Sequence, residues 1–242
     1  MKTLNFAKRT AKEILRDPLT LIFGLGFSGI LIIILSLIQK NIPVSLFEPN
    51  RLVPAMTVFG LSFLTLFSST VVAKDRESAF LERLYTTPMR SYDFILGYTL
   101  PFLPIALLQA VFCYLVGLMF GLKIGVGAIY SLLFIVPISV FFISLGLFFG
   151  SLLTQKQVGG ICGALLTNLT AWLSGIWFDL ELVGGFFEKI ATVLPFYHAV
   201  RLMQGSFNLN FEGLLPSVII VLAYSLIFLL IAIFTFLKKM KR

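Results

Sequence analysis

The sequence predicts an all-α integral membrane protein: six transmembrane helices, an N-terminal interfacial helix, a short cytoplasmic helix after the second span, and short re-entrant helices on the outer side. Three observations carry this expectation. Of the 242 residues, 58% are hydrophobic and only 12% charged, with a mean hydropathy of +0.99, whereas about 25% charge is ordinary in soluble domains. A globule of this size cannot bury so much apolar surface, which excludes a soluble enzyme, a nucleic-acid-binding domain and a disordered chain. Six uncharged runs are each long enough to cross a ~30 Å hydrocarbon core, which takes about 20 helical residues. The 19 Lys and Arg and 11 Asp and Glu, a net charge of +8, sit between those runs. Anionic head groups and the positive-inside rule account for them better than nucleic acid does.

The first element is Lys2–Asp17. Leu4, Ala7, Ala11, Ile14 and Leu15 fall on one helical face, with Lys8, Arg9, Lys12, Glu13 and Arg16 on the others. That pattern fits an amphipathic helix lying in the inner interface. Asp17-Pro18 breaks it and turns the chain into the bilayer. The spans are Leu19–Ile38, Leu52–Ala73, Phe94–Leu122, Ile124–Gln155, Gln157–Phe178 and Gly213–Leu237. Pro101 and Pro104 open the third and Pro137 lies within the fourth, so bends are expected there. None of the runs alternates apolar and polar residues, which excludes a β-barrel. The first run ends Ser36-Leu37-Ile38-Gln39-Lys40, unlike a small-residue cleavage site, so no cleaved signal peptide is expected. No internal repeat is visible, and the chain reads as one membrane domain.

Two segments lie between spans. In Lys74–Tyr92, Asp75 can cap a short helix whose apolar residues are Phe80, Leu81, Leu84 and Tyr85 and which Pro88 ends. Flanked by Arg76, Glu77, Glu82 and Arg83, this ridge is expected to face the cytoplasm, covered by a partner protein rather than by the membrane surface. In Asp179–Glu212, the stretch Leu182–Leu194 has Val183, Phe186, Phe187, Ile190 and Val193/Leu194 at helical spacing. Pro195 interrupts it, and Phe196–Ser206 can form a second short helix. Both are too short to span and are expected to form a lid dipping into the outer leaflet.

Orientation follows from the basic residues. With the N-terminus inside, the inner segments hold fourteen: Lys2, Lys8, Arg9, Lys12, Arg16, Lys74, Arg76, Arg83, Arg90, Lys156, Lys238, Lys239, Lys241 and Arg242. The outer segments hold five: Lys40, Arg51, Lys123, Lys189 and Arg201. Both termini are therefore expected in the cytoplasm.

No Asp, Glu, Lys, Arg or His falls within the six runs. Ion-coupled transporters usually place one near the midplane, so energy is expected to enter from outside the membrane. The chain has no GxxxxGK[ST] phosphate loop, so the motor is expected on another polypeptide. Polar residues inside the spans are the candidates for a pathway. On span two Ser62, Thr65 and Ser69 share a face beside Phe59, Phe63 and Phe67. On span five Thr167, Asn168, Thr170, Trp172 and Ser174 cluster. Helix packing explains the hydroxyl residues equally well. Asn168 and Gln109 are costlier to expose to lipid and are expected to face protein or a cavity. Cys113 and Cys162 lie in apolar runs without metal-ligand spacing and read as packing residues. His198 reads as structural, and Asp179 with Glu181 is a weak hydrolytic pair, so no catalytic residue and no metal is expected.

Three segments resemble the permease subunit of a type-2 ABC exporter, a class that includes drug, polysaccharide and lipid-linked exporters. Arg16-Asp17-Pro18 is similar to the Arg-x-Pro-like turn before span one. Arg76-Glu77-Ser78-Ala79-Phe80-Leu81-Glu82-Arg83-Leu84-Tyr85-Thr86-Thr87-Pro88 is similar to the cytoplasmic coupling helix, and Leu96-Gly97-Tyr98 to the L-G-K-like start of span three. Leu173-Ser174-Gly175-Ile176-Trp177-Phe178 and Leu194-Pro195-Phe196-Tyr197-His198-Ala199-Val200-Arg201 are similar to the end of span five and the close of the lid. The match runs in order over essentially the whole chain. It departs at Ser78-Ala79, where Gly-Thr is usual, and at Tyr98, where Lys is usual, and no proline closes the outer part of span one.

The resemblance implies a half-transporter that pairs with a second permease copy, as homodimer or heterodimer, in the plasma (inner) membrane of a bacterium. Two separate ABC ATPase subunits, holding the ATP and Mg, would dock under Arg76, Glu77, Phe80, Leu81, Glu82, Arg83, Leu84 and Tyr85. The pathway would be lined by Phe59, Ser62, Phe63, Thr65, Ser69, Asn168 and Trp172, and the outer lid would use Phe186, Phe187, Pro195, Tyr197 and Arg201. The expected function is ATP-driven export of a hydrophobic or amphiphilic compound: a drug, as in multidrug export, a peptide or a lipid-like molecule. Export of a lipid-linked glycan, a secondary carrier without an ATPase, and a membrane sensor or scaffold are the alternatives. This chain is expected to bind no cofactor and no nucleic acid itself.

Overall fold

The computed structural model describes residues 2–43, 47–78, 80–86 and 89–240. Ala79, Thr87, Pro88, Lys241 and Arg242 lie outside the described residues, as do the side chains of Glu82 and Tyr85. The expected helix end at Pro88 therefore falls outside them. Among the described residues every regular element is helical.

In chain order, α1 is Lys2–Leu15. Helix α2 (Pro18–Leu21), a π-helical stretch Ile22–Gly26 and α3 (Phe27–Gln39) together make the first membrane run. Helix α4 (Pro49–Glu77) is followed by α5 (Phe80–Tyr85), α6 (Ser91–Thr99), α7 (Phe102–Leu118) and α8 (Val126–Leu152). Then come α9 (Gln155–Val158), a second π-helical stretch Gly159–Leu166, and α10 (Thr167–Leu173). The chain closes with α11 (Leu180–Val183), α12 (Gly185–Val193), α13 (Pro195–Phe207) and α14 (Leu215–Met240).

Among the described residues, five helices are long and apolar enough to cross a membrane: Ile22–Gln39, Pro49–Glu77, Tyr92–Leu118, Val126–Leu152 and Leu215–Thr235. The expected fifth span is also helical, from Gln155 to Leu173. It is less apolar because Gln155, Lys156, Gln157, Thr167, Asn168 and Thr170 dilute it. It stops at Leu173, before the expected Phe178, where Gly175 turns the chain at φ 74°. The third run breaks at Leu100-Pro101, because Pro101 and Pro104 have no N–H for the helical ladder.

Helix α4 is the hub. From Leu52 to Phe67 nearly every side chain is buried, and α4 packs against α3, α7, α8 and α13. Its close partner is α8, along a seam of small residues. A Cβ on Gly146 would collide with Ser68 Oγ and stand 2.6 Å from the Thr65 carbonyl oxygen; one on Gly150 would stand 2.7 Å from the Ser69 carbonyl oxygen. Small residues four apart let two backbones approach where lipid offers no hydrophobic drive of its own. At the other extreme, α14 leaves Leu215, Leu226 and Phe234 exposed at 70%, 58% and 68%, as a lipid-facing helix must.

Four expectations are corrected. Helix α4 does not stop at Ala73 but continues to Glu77, so Asp75 lies within it and caps no helix. The buried face of α1 is Phe6, Ala7, Thr10 and Ile14, while Leu4 and Leu15 are 56% and 63% exposed. The face is rotated because α1 packs on α6 of the same chain, so a protein surface rather than lipid alone selects it. The apolar ridge of the short helix α5 is turned inward: Leu81 is buried and Phe80 and Leu84 pack against the core. Helix α13 is no surface lid. It buries Phe196, Ala199, Val200, Leu202 and Met203 against α4, α8 and α14. The preceding stretch is split into α11 and α12 by Gly184 and Gly185, at φ 62° and 64°.

Candidate functional site

At the end of the bundle that carries α1 and α5, the carboxylate of Asp75 is 1% exposed. It accepts two hydrogen bonds from Arg9, from Nη1 at 2.5 Å and Nη2 at 2.6 Å, and one from Tyr98 Oη at 2.8 Å. A buried carboxylate is tolerable only with such partners. Glu13 extends the network, 3.0 Å from Arg9 and 2.7 Å from Lys74. The Arg9 guanidinium lies 4.1 Å above the Phe80 ring. Phe6 sits against Phe80, Phe94 and Tyr98 at centroid distances of 6.5, 6.0 and 4.9 Å. It fits there because a Cβ at Gly97 would collide with its ring. Near the start of α6, Asp93 accepts from the Thr3 hydroxyl and, at 2.9 Å, from the Arg90 backbone. Helix α1 thus clasps α4, α5 and α6 together.

Two residues expected at an ATPase contact are used internally. Arg76 donates to the carbonyls of Ser151, at 2.5 Å, and of Leu153, the residue that follows α8. Glu77 accepts from the Gln155 backbone N–H at 3.0 Å, at the start of α9. On α5, Leu81 is buried, Phe80 and Leu84 are partly buried, and Arg83 is exposed.

The expected pathway residues separate into two groups. On α4, Phe59, Ser62, Phe63, Thr65 and Ser69 are all buried within this chain. Ser62 and Ser69 donate to their own helix, at the Phe59 and Leu66 carbonyls, while Thr65 donates to the Phe142 carbonyl of α8 at 2.9 Å. Phe59 and Phe63 pack around Phe27, tilted at 6.2 Å and edge-on at 5.5 Å. Gln109 is also buried, donating to Ser28 at 3.0 Å. On α10, by contrast, Asn168 and Trp172 are exposed, Trp172 at 54%, on one face with Leu165 at 55% and Leu169 at 37%. Asn168 Nδ2 donates to the Ala164 carbonyl at 2.7 Å.

The ABC-2 type transporter family matches this chain over residues 2–208. The chain belongs to that family. Comparison with curated proteins gives no match. It is accordingly a multi-pass membrane permease component of an ABC transporter.

At the far end of the permease, Arg51 pairs with Asp179, and Gln204 Nε2 donates to the Arg51 carbonyl at 3.0 Å. These residues line a polar cleft of about 350 Å³ with Glu181, Glu188, Tyr197 and Arg201. Of the residues expected in a lid, Pro195 is buried, Tyr197 and Phe187 are partly buried, Arg201 is exposed, and Phe186 is 79% exposed. His198 bridges Ser217 Oγ at 3.0 Å and the Thr192 carbonyl at 2.8 Å, a structural role as expected. The residues that sequence reasoning missed are Asp75, Arg9 and Tyr98 as one unit. The available clue was Tyr98 itself, standing where the family resemblance leads to Lys: here Arg9 brings the cation from α1, and Tyr98 adds only a hydroxyl donor.

Proposed function

We propose that this permease is one half of an ATP-driven exporter, working by alternating access. Separate ATPase subunits hold ATP and Mg and move α5, and a second permease copy completes the pathway. The cargo class is a hydrophobic or amphiphilic compound: a drug, peptide or lipid-like molecule. The orientation that goes with this reading has both termini in the cytoplasm of a bacterial cell and the permease in its plasma membrane.

The observation that supports the reading most is the clasp. A force applied to α5 reaches Phe80, and through Arg9 and Asp75 it reaches α4, the helix around which the bundle is packed. A chain of packed and hydrogen-bonded groups of this kind can carry coupling between two sites. Among the described side chains of α5, Arg83 is an exposed charge available to an ATPase, while Leu81 anchors α5 to its own chain. On the pathway side, the exposed α10 face with Asn168 and Trp172 is the surface to set against a second copy, and the α4 residues support it from behind.

The test is co-purification of the permease with an ATPase from its own cell, followed by a screen for compounds that stimulate ATP hydrolysis. Stimulation by apolar or amphiphilic compounds supports export of that class. An isolated permease that catalyses transport with no ATPase overturns it.

A further inference from the structure

A cleft of about 740 Å³ opens between the second half of α1, the Pro18 turn and the Phe67–Lys74 stretch of α4. Its floor is apolar and built from the buried side chains of Ile14, Phe67 and Val71. Its rim is basic. Lys12 on α1 and Arg16 in the turn just past its end, four residues apart, are both exposed, as is Lys74. The carboxylates on the cleft are Glu13 and Asp17. Glu13 is already engaged by Arg9 and Lys74, at 3.0 and 2.7 Å, and the four cations Arg9, Lys12, Arg16 and Lys74 outnumber the two carboxylates around the cleft.

The depth of the cleft is defined by the sequence around it. The first membrane run starts at Pro18, and α4 meets its first charged residue past Leu52 at Lys74. The cleft therefore straddles the level where hydrocarbon gives way to head groups. Cations above an apolar floor at this level match one class of molecule on both counts. Free phosphate would satisfy the cations and leave the floor wet. A zwitterionic lipid would bring its own cation against Lys12 and Arg16.

We infer that this cleft holds an anionic glycerophospholipid of the surrounding leaflet, its phosphate at Lys12 and Arg16 and the start of an acyl chain on Phe67 and Val71. The lipid bridges α1 to α4 beside the Arg9–Asp75 pair and so completes the clasp. The site is independent of the exported compound.

The test is native mass spectrometry of the detergent-purified full chain titrated with dioleoyl phosphatidylglycerol or dioleoyl phosphatidylcholine. Phosphatidylglycerol is expected to bind at least about tenfold more tightly. Each cation near a membrane surface contributes about fivefold in affinity, so K12Q/R16Q is expected to weaken phosphatidylglycerol roughly thirtyfold. Lys123→Gln, at the opposite end, is expected to change nothing. A photoactivatable phosphatidylglycerol is expected to label peptides from α1 and the 67–74 stretch of the unaltered protein, a readout that survives if the double variant fails to fold. Equal binding of the two lipids, unchanged binding by K12Q/R16Q, or labelling confined to other helices would overturn the site. So would displacement of phosphatidylglycerol by glycerol 3-phosphate as effectively as by a second phosphatidylglycerol, since the head group alone would then account for binding.

Discussion

Asp75 and Arg9 are unequal partners, and the inequality is measurable. Asp75 is 1% exposed and cannot recover water if its partner is removed, whereas Arg9 is 37% exposed and can. Breaking a buried pair from the side that leaves a buried charge costs about 3 kcal/mol. Arg9→Ala is therefore expected to destabilise by about 3 kcal/mol. Asp75→Asn keeps an acceptor for Tyr98 and leaves Arg9 paired with Glu13, at a cost of about 1–2 kcal/mol. Thermal melts in detergent of both variants check this, and equal losses would show that burial does not set the balance. His198 offers a pH readout on the same principle. A carbonyl only accepts, so the contact with Thr192 assigns the proton to Nε2, and Nδ1 accepts from the Ser217 hydroxyl. Burial favours this neutral ring and lowers the pKa below its ordinary 6.5. The stability it contributes is fully present above 6.5 and is lost as pH falls through the lowered folded value. Between about pH 7 and pH 5 the melting temperature of the unaltered protein is expected to fall further than that of His198→Gln.

At the scale of elements, the α4–α8 seam and the short helix α5 make opposite demands. The seam tolerates no added volume. Gly146→Leu would drive a side chain into Ser68 and the Thr65 backbone, and misfolded, poorly extracted protein is expected; normal yield and melting would mean that the helices separate freely. On α5 the outward and inward faces can be told apart. Arg83→Glu, at an exposed position, is expected to abolish ATPase co-purification with the melting temperature unchanged. Leu81→Asp, at 2% exposure, is expected to destabilise the permease before any coupling is measured. Retained ATPase binding by Arg83→Glu would remove α5 from the docking surface. The same distinction separates the two expected pathway walls. Asn168→Leu and Trp172→Ala lie on the exposed α10 face and are expected to change which compounds are exported at unchanged stability. Thr65→Val removes an interhelical hydrogen bond and is expected to cost about 1 kcal/mol while leaving selectivity alone.

For the whole molecule, the prediction concerns which end faces which side. Glu48 and Asn208 belong to one end, where Asn208 Nδ2 reaches the Asn50 carbonyl at 3.3 Å. Arg90 belongs to the other, beside Asp93 and α1. Cysteines at Glu48 and Asn208 are expected to react with an impermeant thiol reagent in sealed cells and one at Arg90 is not; the reverse pattern would invert the permease. Cysteines at Asn168 in two copies are expected to cross-link in at least one nucleotide state if the α10 faces meet across the pathway.

The sequence by itself determined the all-helical membrane class, the broken third run, the family, the buried placement of Cys113 and Cys162 and the structural role of His198. These follow from free energies of transfer and from local chemistry, both written residue by residue. Tertiary structure alone decided that α4 is the hub, that α13 is inserted rather than laid on top, that α1 presents Phe6 and Thr10 inward, and that Arg9 finds Asp75 across 66 positions. The physical reason is that hydropathy measures removal from water, and in a bilayer both lipid and protein provide that removal. A leucine against an acyl chain and a leucine against another helix look alike in transfer free energy. What distinguishes them is shape and hydrogen bonding at a particular contact: the absent side chain at Gly97 that admits Phe6, the seam at Gly146 and Gly150, and the carboxylate that needs a guanidinium from another helix. Those depend on neighbours far away in the chain, and only the folded arrangement brings them together.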